Sequence, residues 1–180
     1  RGRNSMKLDG FEIDALAEII NIGVGRAASA LSQMTGSPIS LEAPKIHASG
    51  TPEFDEIAGR LDLECAIQQG FGGDLAGRCL LAFSKDNAFE LARVVGGVDA
   101  HDTEMDEELS GVLEEIGNIV LNAVLGSISN VLVCQVSYNL PELCTKREFS
   151  SIVSKCADDA QCESSISVIA DAKITVANKD

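Results

Sequence analysis

Two carboxylate–carboxamide pairs stand out in this sequence by their spacing. Glu18 precedes Asn21 by three residues, and Glu115 precedes Asn118 by the same three. In both places twenty-two residues then separate the asparagine from a proline, Pro44 or Pro141. On a helix, residues three apart share a face, so each pair would be presented together. A carboxamide donates and accepts hydrogen bonds, so it can hold a water in place without acting as a strong base. A carboxylate one turn away can take a cation. One such pair on an exposed face is commonplace. Two are harder to assign to solubility, because asparagine is a poor mid-helix residue, about 0.5 kcal/mol worse than alanine.

Around the pairs the two stretches align at an offset of 97. "DALAEIINIGVGRAASALSQMTGSPISLEAP" falls on "GVLEEIGNIVLNAVLGSISNVLVCQVSYNLP". Identical residues include Leu16/Leu113, Glu18/Glu115, Ile19/Ile116, Asn21/Asn118, Ile22/Ile119, Ser32/Ser129 and Pro44/Pro141. Packing alone explains the apolar matches, but not the polar ones. Ile22 and Ile119, beside the asparagines, suit the apolar rim of a contact surface. Asp14 lies one turn before Glu18, where it fits either a partner contact or a first-turn acid favoured by the helix dipole. The aligned position in the second copy is Gly111.

The elements that position these residues follow from periodicity. Ile13, Leu16, Ile20, Val24, Ala27, Leu31 and Met34 recur at three and four, predicting a helix over 10–35 that Gly36 stops. Leu109, Leu113, Ile116, Val120, Val124 and Ile128 predict a second over about 105–131. Between them lie an extended stretch from Pro38 to Ser49 and the loop or helical turn "TPEFDEI". Two strands, "RLDLECAIQQGF" and "LAGRCLLAFS", are joined by a hairpin at "GGD". A short helix, "KDNAFELARVVGG", has Asp86 as its candidate start and the paired glycines as its end. After the second long helix the pattern predicts a strand in "VLVCQVSYNL", a break at Pro141 and a short helix at about 145–157. Two strands are expected around Asp171–Ala172 in "SISVIADAKITV".

The bulk properties exclude several classes. Acidic residues number 28 against 14 basic, a net charge of −14, which is wrong for a nucleic-acid surface. The acidity is uneven: residues 1–97 carry 13 acidic and 9 basic, residues 98–180 carry 15 and 5. The six cysteines include no C-x-x-C, so neither a zinc site nor a thioredoxin-like motif is indicated. With no signal peptide and no apolar run of about 18 residues, a cytoplasmic location with reduced thiols and no membrane span is expected. "GFGGDLAG" lacks the Gly-Lys-Ser/Thr ending of a P-loop, and "NIGVG" reads as a close-packed helix segment. His47 and His101 have no repeated partners, and Ser32 and Ser129 have no nearby base. Residues 1–5, "RGRNS", ahead of Met6, read as an appended tail outside the fold.

The pattern Asp/Ser-x3-Glu-x2-Asn-x22-Pro resembles the signature of the CheC/CheX/FliY phosphatases of bacterial chemotaxis. Asp14, Glu18, Asn21 and Pro44 match it in full; Glu115, Asn118 and Pro141 match it apart from Gly111. Two signatures in one chain resemble the CheC type, since CheX carries one site and FliY adds a flagellar-switch domain. The resemblance implies an α+β fold with a pseudo-two-fold internal repeat (about 10–97 and 105–180) within a single domain over 6–180. It implies two long helices on one face of an antiparallel sheet of about six strands. It also implies hydrolysis of the aspartyl phosphate of the response regulator CheY. Asn21 and Asn118 would orient the attacking water, and Glu18 and Glu115 would pair with the receiver's active-site lysine. Pro44 and Pro141 would shape a strand end. The Mg²⁺ would be the receiver's, leaving this chain without a metal or cofactor of its own. CheD, the receptor deamidase, is a further partner the resemblance implies, with about 145–157 as the candidate contact. Two rival readings are a non-catalytic adaptor for a receiver or CheD, and a structural component of the flagellar switch.

Overall fold

A computed structural model describes residues 8–48, 65–97, 107–145, 147, 148, 151, 166 and 168–176. Among them are three helices, α1 (Gly10–Thr35), α2 (Lys85–Gly96) and α3 (Glu107–Leu132). The strands are β1 (Ile39–Ala48), β2 (Cys65–Gly73), β3 (Gly77–Phe83), β4 (Val136–Tyr138), β5 (Glu142–Thr145) and β6 (Val168–Val176). The architecture is mixed α/β with antiparallel sheets. Where one sheet was expected, the described strands fall into two, β1–β6 and a second in which β2 pairs β3 on one side and both β4 and β5 on the other.

Local chemistry explains the ends of α1. Asp9 and Glu12 form a capping box: each side chain accepts the other's backbone N–H, both at 2.9 Å. At its far end Gly36 takes a left-handed φ of 65°, which suits a residue without a Cβ. For α2 the cap is Ser84 and not Asp86; the serine hydroxyl accepts from the Asn87 N–H, and Asp86 sits in the first turn.

Core packing places the long helices. Leu109, Leu113, Ile116, Val120 and Leu121 of α3 join Ala27 and Leu31 of α1, Ile67 of β2 and Leu91 of α2 in the main core. A smaller cluster, Ile20, Val24, Ala43 and Ile46, fills the space between α1 and β1. Burying one such leucine or isoleucine contributes about 1.5–3 kcal/mol, so this periodic stripe dominates any local propensity. The helices touch at Gly23, where an added Cβ would lie 2.6 Å from Val124 Cα. Only glycine allows that approach. "NIGVG" is thus a packing segment, and "GGD" is the hairpin turn expected, between β2 and β3.

Two further expectations are corrected. The apolar start of "VLVCQVSYNL" belongs to α3 and its turn, and β4 keeps only Val136–Tyr138; a short apolar run is ambiguous between helix and strand. Asp171–Ala172 does not separate two strands, because β6 runs through it, held by β1. By length and composition α3 is apolar enough to cross a membrane (mean hydropathy 1.3), but its buried side chains pack against the protein's own sheet and helices. "TPEFDEI", His101 and most of 145–157 lie outside the described residues.

Candidate functional site

The Glu/Asn pairs of both motif copies lie on the long helices, with the carboxylates in solvent. Asp14 and Glu18 on α1 and Glu115 on α3 are exposed, while Asn21 and Asn118 are half-buried. Among the described residues, neither the Glu18 nor the Glu115 carboxylate has a hydrogen bond or an ion pair. Each asparagine is therefore anchored beside a free carboxylate on its own helix.

The first anchor is the backbone of β1. Asn21 Nδ2 donates to Ala43 O at 3.0 Å, and Asn21 Oδ1 accepts from Ala43 N at 2.9 Å. Ala43 sits in a bulge: Glu42 pairs Lys173 and Lys45 pairs Asp171, leaving Ala43 and Pro44 opposite Ala172 alone. Proline has no N–H for the ladder, and the bulge tolerates it. The carboxamide of Asn21 takes up both backbone groups of the buried residue before it. The spacing of twenty-two residues is thus a contact, joining the asparagine to the residue that precedes the proline.

The second anchor differs. Asn118 Oδ1 accepts from Asn122 Nδ2 at 2.7 Å. Asn122 Oδ1 in turn accepts from Gln69 Nε2 at 3.0 Å, and that nitrogen also donates to Asn139 O at 2.9 Å. Here too the strand is irregular. Phe71 pairs Tyr138 and Gln68 pairs Glu142, so Gln69 and Gly70 face Asn139, Leu140 and Pro141. Leu140 aligns with the fully buried Ala43, yet it is 85% exposed. Sequence reasoning missed Leu140; its alignment with Ala43, as a large residue against a small one, was the available signal.

The remaining hydrogen-bonding capacity follows from counting. A carboxamide has two N–H donors and two acceptor lone pairs. Asn21 keeps one donor and one lone pair, whereas Asn118 keeps both donors and one lone pair, among the described residues. Ile22 is 42% exposed, and Ile119 is half-buried against the main core. The prolines serve the strands: Pro44 lies within β1 and Pro141 directly before β5. Ser32 is occupied with backbone, its hydroxyl donating to Ala28 O at 2.7 Å and accepting from Ile39 N at 2.8 Å.

The described cysteines take no part. Among the described residues, Cys65, Cys79, Cys134 and Cys144 are in no disulfide. Burial pushes the Cys79 thiol up to about 11, and burial, assisted by the Glu148 carboxylate, raises that of Cys144, so neither is a ready nucleophile. No group of three histidine, cysteine, aspartate or glutamate side chains suited to a metal ion occurs among the described residues.

A mixed α/β fold with Glu/Asn pairs on two long helices, each asparagine tied toward a strand irregularity at a proline, defines a recognisable class. The family described as "Chemotaxis phosphatase CheX" matches residues 65–163, more than half of the chain, and the "CheC-like family" matches residues 11–47. The chain belongs to the CheC/CheX family. It is 28% identical over 148 residues to the CheY-P phosphatase CheC of Bacillus subtilis (strain 168), covering 80% of this chain and 70% of that one. In fold it is similar to Thermotoga maritima FliY, at a TM-score of 0.70, with 16% identity and coverage of 97% and 88%. A FliG–FliM complex from H. pylori contains a similar fold, at a TM-score of 0.68, with 14% identity and coverage of 94% and 88%.

Proposed function

We propose that this chain is a phosphatase of two-component signalling that removes the aspartyl phosphate from a CheY-type receiver domain. The observation that carries this reading is the pairing, twice over, of an exposed glutamate, unpartnered among the described residues, with an anchored asparagine three residues on. Family membership and the CheC relative supply the substrate class. Acyl-phosphate hydrolysis asks for an in-line water and charge stabilisation, and positioning supplies most of that catalysis. Asn21 and Asn118 hold the water with their remaining donors and lone pairs. Glu18 and Glu115 pair with a lysine of the receiver, while Asp14, Ile22 and Ile119 contribute to the docking face. The Mg²⁺ is the receiver's, and turnover takes place in the cytoplasm where the receiver is.

The chain reads as two fused halves. In support, α1 and α3 each have 26 residues and their bounds differ by the same 97 residues as the motifs. CheD is proposed as a second partner through the region after β5. A switch-component reading has one observation behind it, the fold similarity to FliM in complex with FliG. Phosphate release from acetyl-phosphate-charged CheY separates the two. The phosphatase reading expects release above the receiver's own rate, lost on adding EDTA, with no change in the melting temperature of this chain alone. Replacing Asn21 and Asn118 together by alanine should cut the stimulated rate by about 100-fold or more, in line with losing a positioned water. Binding of FliG with no stimulated release would instead favour the switch component.

A further inference from the structure

We propose that Gln69 and Asn122 are positioning residues for the second copy, forming an amide relay that sets which way round Asn118 presents its carboxamide. The inference rests on the phosphatase reading for its consequence, but the relay itself stands on geometry. It starts at Asn139 O, a backbone carbonyl that can only accept. Gln69 must therefore turn Nε2 toward it, and the same nitrogen meets Asn122 Oδ1 at 3.0 Å. With its oxygen so engaged, Asn122 has only Nδ2 to offer Asn118, and it does so at 2.7 Å. Asn118 Oδ1 consequently faces inward, and Nδ2, with both its donors, is left for whatever docks.

The relay carries a cost that marks it as more than filler. Gln69 is 1% exposed, and its Oε1 has no hydrogen-bond partner among the described residues. An unpaired buried carbonyl is unfavourable, yet turning the amide over would set its oxygen against Asn139 O. The first copy needs no relay, because Ala43 offers an N–H and a C=O together and so orients Asn21 directly. The position aligned with Asn122 is Gly25, which has no side chain to compete for Asn21.

The test uses the full chain carrying Asn21→Ala, so that only the second copy turns over, with phosphorylated CheY as substrate. Asn122→Asp still accepts from Gln69 but cannot donate to Asn118, so the Asn118 carboxamide must reverse. Its kcat should fall about 10-fold or more while KM stays within about twofold, the split expected when orientation and not docking is lost. Asn122→Ala and Gln69→Met release the amide without reversing it, and each should cost about 3- to 10-fold in kcat. Independently of turnover, the Asn118 side-chain NH₂ resonances should move in Asn122→Asp. Unchanged kcat in all three variants, with Asn118 resonances in place, overturns the relay. If Asn118→Ala fails to lower turnover, the phosphatase reading of this site falls, and the resonances alone then decide the relay.

Discussion

The two motif copies share Glu, Asn and Pro at identical spacing, yet they are built differently. In the first, Asn21 bridges the two backbone groups of Ala43 and so is part of what holds α1 to β1. In the second, Asn118 is held by another side chain and makes no side-chain hydrogen bond to strand backbone among the described residues. The difference begins one helical turn on, at Gly25 against Asn122, and one residue before the proline, at buried Ala43 against exposed Leu140. The same three residues can thus be tied into strand backbone in one place and left to a side-chain partner in another. A carboxamide whose bonds go to backbone is rigid and partly spent. One held by a side chain keeps more donors but depends on its neighbour.

The sharpest way to break this comparison is stability. Asn21→Ala leaves the N–H and C=O of buried Ala43 without partners and should cost about 3 kcal/mol, at 1–3 kcal/mol for each unpaired group. Asn118→Ala strands only half-buried Asn122, and under about 1 kcal/mol is expected. Urea unfolding of the two variants beside the parent checks this; equal losses would mean that the two asparagines are structurally equivalent.

Gly23 and Gly25 sharpen it next. Both lie in α1, but a Cβ at Gly23 strikes the backbone of α3 whereas one at Gly25 meets nothing within 4 Å. Gly23→Ala should lose about 2 kcal/mol through overpacking. Gly25→Ala should gain about 0.5–1 kcal/mol from helix propensity. Thermal melts that show two gains would remove the close contact between the long helices from the account.

The smallest effect concerns the ends of those helices. Gly36 and Val133 are 97 residues apart, and both are left-handed, with φ of 65° and 53°. Valine there is strained, and it is 91% exposed, so packing does not offset the strain. Val133→Gly should stabilise by about 1 kcal/mol. Gly36→Val should destabilise by a similar amount. A neutral Val133→Gly would show that the strain is relieved in solution.

The sequence alone determined the elements whose cause is local or periodic. The 3.6-residue apolar stripe placed α1 and α3 to within two residues, Gly36 marked the end of α1, and "GGD" marked the hairpin, because caps, turns and amphipathic faces act within a few residues. The Glu/Asn pairs were legible for the same reason: a spacing of three on a helix puts side chains together whatever the tertiary fold. What each asparagine grips was not legible. Twenty-two residues of chain do not reveal that Ala43 presents its backbone to Asn21 while Gln69, on another strand, reaches Asn122. Nor could sequence decide that β6 continues through Asp171, or that Val133 is forced into a glycine's conformation. Those outcomes belong to strand pairing and helix packing, where contacts between residues far apart in the chain outweigh local preference, and only the tertiary structure settled them.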